Sequence, residues 1–86
     1  MNQYDNNFIN EYDLVECLNR GCEVEFLYNE KKYSITHTKN GVSITEFNIE
    51  DSERTFPNGC EALEYRIGNK KLKDIIPDMK IIDRSF

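Results

Sequence analysis

Acid–base and nucleophilic catalysis both need a base, a nucleophile and a group that orients them, and this chain offers few residues for those parts. It has one histidine, His37, and three cysteines, Cys17, Cys22 and Cys60, none in a CxxC pair. Zinc sites draw on clustered Cys and His ligands, so no metal is expected. There is no GxSxG, no Gly-rich phosphate loop and no HExxH. His37 falls beside Asn40-Gly41, where a structural or solvent-exposed role accounts for it. The cysteines read as buried or half-buried thiols kept reduced in a cytosol. Glu23 and Glu25 would point the same way from one strand, yet a wet sheet face explains them equally well. We therefore expect a protein that is not an enzyme, with no catalytic residue and no cofactor.

The chemistry that remains is charge. The net charge is -5, unevenly laid out along the chain. Residues 1–30 hold seven acids and one base, residues 31–45 three lysines and no acid, and residues 46–64 six acids and one base. Residues 65–86 hold six bases against three acids. The stretch "EFNIEDSE" alone supplies Glu46, Glu50, Asp51 and Glu53. With Glu23 and Glu25 on an outer sheet face, these carboxylates would offer a negative surface to a basic protein, with steering to raise the on-rate. The plainer explanation is a solvated strand exit. In "YRIGNKKLK", Arg66, Lys70, Lys71 and Lys73 would hold a small anion or nucleotide if Asn69 capped a helix there; solvated lysines on an amphipathic turn are the plainer explanation again. The overall acidity argues against nucleic acid as partner.

Positioning these groups falls to one small α+β domain spanning 1–86. "NEYDLVECLNRG" reads as a helix, with Asn10 as N-cap and Asp13 three residues on. Leu14, Val15 and Leu18 form its apolar stripe, extended back to Tyr12 or Ile9, and Gly21 is its stop. A three-stranded antiparallel meander follows. "CEVEFLY" and "KKYSITH" alternate about a tight turn at "NEK", and "GVSITEFNI" follows Asn40-Gly41, the preferred dipeptide of a type I′ turn. Glu46 keeps the parity of Ile44 while Phe47 and Ile49 break it, which predicts a bulge or strand end at Glu46. Two short helices are expected in "FPNGCEALEYRIG" and "GNKKLKDIIPDMK", then a closing strand "MKIID" covered on both faces. Val24, Phe26, Tyr33, Ile35, Val42 and Ile44 would form the sheet's inner face.

No apolar run approaches the roughly 18 residues that span a bilayer, and "MNQYDNNFINEYD" lacks the features of a secretory leader. No membrane partner and a cytoplasmic location are expected. A domain this small gains from extra buried area, so a homodimer through an edge strand is a further expectation.

A capped helix leading into "GCEVEFLYNEKKYSI", followed later by "FPNGCEALEYRIGNKKLKDI", resembles a pattern in small proteins of low-GC Gram-positive bacteria, their prophages and mobile elements. The resemblance covers about two thirds of the chain and rests on glycines, core residues and helix ends. It brings no catalytic motif. Small acidic proteins of that setting include inhibitors of bacterial defence systems. The expected function is accordingly a non-enzymatic acidic inhibitor that blocks a basic host surface. The alternatives are the anion- or nucleotide-binding module and a self-associating structural protein.

Overall fold

The structure is a computed structural model that describes residues 8–85. The first seven residues, part of the stretch read as lacking a secretory leader, lie outside the described residues, as does Phe86. Helix α1 runs Glu11–Asn19, with Asn10 as its N-cap. The Asn10 side chain accepts from the Asp13 amide at 3.0 Å. The Asp13 carboxylate does not close a box on Asn10; it reaches one residue further back and accepts from the Ile9 amide at 3.1 Å. Gly21, at φ +92°, ends the helix in a conformation that costs glycine little. Leu14 and Leu18 are buried, but Ile9 and Tyr12 are 86% and 78% exposed. The apolar stripe instead extends to Phe8, buried beneath the Arg84 guanidinium at 4.2 Å.

Strands β1 (Glu23–Tyr28), β2 (Lys31–Thr38) and β3 (Gly41–Glu46) form the expected meander. The two hairpin turns exchange their expected characters. Asn29 and Glu30 both take positive φ, +54° and +67°, so the first hairpin holds the turn that needs two left-handed residues. In the second, Thr38 pairs with Gly41 and the loop is Lys39-Asn40. Only Gly41 is left-handed there, at φ +130°, as in a type I turn closed by a glycine bulge. The reason lies beyond the hairpin. Gly41 abuts the Phe56 carbonyl of a strand the sequence pattern did not announce, β4 (Arg54–Phe56).

With that strand and the last one, β7 (Lys80–Ser85), the sheet among the described residues is five-stranded and antiparallel, in the order β4-β3-β2-β1-β7. Strand β7 lies on one edge beside β1. It is not covered on both faces: Ile82 is exposed, and a bulge opposite Glu25/Phe26 absorbs it as an extra residue. The edges open to self-pairing are therefore β7 and the three-residue β4, since β1 is interior.

Between β4 and β7 the two expected helices are reduced to single turns, α2 (Gly59–Ala62) and α3 (Leu72–Ile75). A two-stranded hairpin separates them, β5 (Arg66–Ile67) and β6 (Lys70–Lys71), turning at Gly68-Asn69. Asn58 caps α2 through the Glu61 amide at 2.9 Å. The Gly59 amide donates to Asn19 at 2.9 Å, tying α2 to α1. All of this packs on one sheet face, where Val24, Phe26, Tyr33, Ile35, Val42 and Ile44 meet Leu14, Leu18, Ala62, Leu72 and Ile75 in one core. Cys17 and Cys22, expected as thiols, are joined by a disulfide. The end of α1 turns back through Gly21 to start β1, which leaves their Cα atoms 5.2 Å apart, within a disulfide's span. Cys60 is the free, exposed cysteine among the described residues.

Candidate functional site

Register decides which face each polar side chain takes. Tyr33 pairs with Glu46, so the parity break noted at Glu46 is a strand end with Glu46 still on the inner face. Lys31, two residues before Tyr33 on β2, shares that face. On β4, Arg54 pairs with Ile44 and Phe56 with Val42, which turns both inward. The result is a cleft of about 570 Å³, walled by the sheet on one side and by Tyr65, Arg66, Ile67 and Gly68 on the other. A second lobe of about 200 Å³ shares Lys31, Tyr33, Ile67 and Gly68 and adds Asn69 and Lys70.

The floor is aromatic. Tyr33 stacks on Phe26 with centroids 5.2 Å apart, and Phe56 meets Tyr65 edge-on at 6.3 Å. Burial first, and then the negative charge of Glu46, pushes the Tyr33 hydroxyl up to about 12. The same two causes raise Tyr65. Both phenols therefore stay protonated and able to donate at neutral pH, and Tyr65 already donates to the Ser52 carbonyl at 3.3 Å.

The charges around this floor are unequally satisfied. Glu64 is held by Lys71 at 2.6 Å and Lys73 at 3.7 Å. The Lys71 hydrogen bond holds its carboxyl below the usual range. Arg54 is anchored by its Nη1, which donates to the Asp51 and Glu53 carbonyls at 2.8 and 2.7 Å. Among the described residues Lys31, Arg66 and Lys70 have no carboxylate within ion-pairing distance. The Glu46 carboxylate, half-buried, likewise has no hydrogen-bond or ion-pair partner among them; its contacts run through the backbone to Ser52.

Of the two sets of residues singled out from the sequence, the acidic one is dispersed. Glu23 and Glu25 lie on the outer face of β1, where Glu25 pairs with Lys32 at 3.5 Å. Glu50 and Asp51 are exposed on a single 3-10 turn, Glu50–Ser52, leading into β4. Three strand steps, roughly 14 Å, separate β1 from β4. Glu46 faces the cleft on the opposite side. Glu53 is committed to structure, accepting a short hydrogen bond from buried Ser43.

The basic set is divided differently. Arg66, Asn69 and Lys70 reach the cleft, whereas Lys71 and Lys73 are tied to Glu64 at its rim. Asn69 caps no helix: it sits in the β5–β6 turn, and α3 begins after Lys71, whose amide donates to Asp74 at 3.2 Å. The sequence shows β4 and the hairpin only as turn-like stretches, which leaves Arg54, Phe56 and Tyr65 without a signal for the cleft, and Lys31 reads as the exposed start of β2. The signal available was parity, which puts Lys31, Tyr33 and Glu46 on one face.

His37 stands apart from the cleft; its ring N–H donates to the Leu18 carbonyl near the end of α1. No described helix is long and apolar enough to cross a membrane. Comparisons with protein-family models, curated proteins and solved structures return no match for this chain.

Proposed function

We propose that the chain is a non-catalytic binding module whose cleft takes a small anionic ligand of nucleotide size. One observation carries the reading. In a chain of net charge -5, the cleft gathers Lys31, Arg66 and Lys70, without carboxylate partners among the described residues, over Tyr33, Phe56 and Tyr65. Small-molecule sites are concave, largely apolar clefts of about 300–1,000 Å³ with a few convergent polar groups, and this one falls in that range. Aromatic side chains offer stacking faces to a base, while unpaired cations at the rim suit phosphate.

The test is thermal stabilisation by a panel of nucleoside mono-, di- and triphosphates, with inorganic phosphate alongside. A ligand at a hundred times its Kd stabilises by about 2.7 kcal/mol. For a domain of this size that raises Tm by about 10–20 °C. Lys31→Glu with Arg66→Glu should remove the shift. If no nucleotide shifts the unmodified protein, the reading fails.

A second reading rests on a different surface. Glu50 and Asp51 are exposed and are preceded by Phe47 and Ile49, 56% and 47% exposed. Apolar side chains bordered by like charges suit a protein partner with a basic, partly apolar face, as an inhibitor carried by a mobile element would require. Glu50→Lys with Asp51→Lys should abolish capture of that partner, while Glu53 is left intact for its bond to Ser43. Retention of the same partner by the double variant at physiological salt would sink this reading.

A further inference from the structure

We propose that the ligand is a guanine nucleotide and that Glu46 reads its base. The inference rests on the reading of the cleft as a site for an anion. It starts from a misfit in that reading: the half-buried Glu46 carboxylate has no partner among the described residues and stands in the same cleft as the cations. A purely anionic ligand would leave Glu46 unsatisfied and repel it. The complementary ligand carries an anion at one end and N–H donors at the other.

Placement along the sheet orders those two ends. Glu46 lies directly across from Tyr33, so a base resting on the aromatic floor presents its edge to the carboxylate. Lys31 is two residues further along β2, roughly 7 Å from Tyr33, towards the β1–β2 turn. The second lobe opens there, with Lys70 and Asn69 on its far wall. Base at Glu46 and phosphate at Lys31 and Lys70 is the arrangement that leaves neither charge opposed.

Hydrogen-bond inventory then selects the base. An ionised carboxylate only accepts, and two parallel donors satisfy both its oxygens. Guanine shows two adjacent donors on its Watson–Crick edge, N1–H and the 2-amino group. Adenine and cytosine set a ring-nitrogen acceptor beside their one amino group, which would face a carboxylate oxygen. Uracil has one N–H between two carbonyls. Hypoxanthine keeps N1–H and lacks the 2-amino group, so it isolates the second hydrogen bond.

The experiment is titration of the full chain with GMP, IMP, AMP and inorganic phosphate by calorimetry, repeated on Glu46→Gln. A charge-assisted pair is expected to favour GMP over AMP by at least about tenfold, with IMP between them. The variant should retain nucleotide binding, bring GMP and AMP to within about threefold, and melt at the parent temperature. The GMP-against-IMP comparison needs no variant, so it stands even if Glu46→Gln folds poorly. Equal affinity for GMP and AMP in the unmodified protein overturns the guanine assignment and leaves the anion site in place. A guanine preference that survives Glu46→Gln overturns the role of Glu46. Binding of no nucleotide overturns both.

Discussion

Gly41→Ala should cost the domain about 2–4 kcal/mol, seen as a lower midpoint in urea with an unchanged slope. Two penalties coincide at this position. A φ of +130° is a region that side chains rarely adopt, and an added Cβ would fall on the Phe56 carbonyl oxygen, with the Pro57 Cα 3.0 Å away. A flexible side chain could swing clear; a backbone carbonyl in a paired strand cannot. For 86 residues the whole stability is on the order of 4–13 kcal/mol, so the loss is a large fraction of it. The damage should also reach the cleft, because β4 carries Arg54 and Phe56 and, among the described residues, pairs with β3 alone. A midpoint unchanged within error would show that β4 does not hold Gly41 in place.

Phe26→Ala should be worse, at about 3–5 kcal/mol. Its ring is fully buried at the centre of the inner face and supports Tyr33 from below, stacked at 15°. Removing it leaves a cavity that the surrounding strands, paired on both sides of β1, cannot collapse to fill. Leu27→Ala, one residue on, on the outer face and partly exposed, is the control and should cost much less, about 1 kcal/mol. Denaturant melts of the two variants side by side check this. Equal effects would mean that the burial pattern of β1 does not govern stability. If Phe26→Ala folds at all, its Tyr33 should lose fixed orientation, so the near-ultraviolet dichroism of the tyrosines should fall.

The period-2 alternation of β1 and β2 is readable because each has one dry face and one wet one, and burial repeats that pattern; in β3 the outward Ser43 is buried as well, bonded to Glu53. The α1 cap was readable because Asn10 bonds three residues away. What escaped detection lies where the cause is not local. β4 is three residues long and starts beside a turn; its inward Arg54 does not look like a sheet residue until Ile44 is set opposite it. The β5–β6 hairpin has two residues per strand, too few for any period to show. The cleft depends on both, so its cations were half visible: Arg66 and Lys70 drew notice as part of a basic run, while Lys31 passed as the exposed start of a strand. The acids of "EFNIEDSE" cluster in sequence but not in space: Glu46 ends β3 facing the cleft, Glu50 and Asp51 stand exposed on a 3-10 turn, and Glu53 is taken up by Ser43, while Glu23 and Glu25 lie on the opposite face of the sheet.

The two walls of the cleft are fastened very differently. The sheet wall is laced along its length, strand to strand. The β5–β6 wall is held at its foot, where the Leu72 amide donates to the Tyr65 carbonyl at 2.7 Å and the Lys73 amide to that of Leu63 at 3.2 Å. Glu64 ties Lys71 and Lys73 across that same foot by exposed pairs of the kind that contribute little in water, and Tyr65 and Ile67 pack this wall against the core. The fixed part of this wall is therefore Tyr65, edge-on to Phe56 and donating to the Ser52 carbonyl. The exposed Gly68-Asn69 turn is the end of the wall farthest from these contacts, so the residence time of the proposed ligand is expected to follow local opening at that turn more than the stability of the fold.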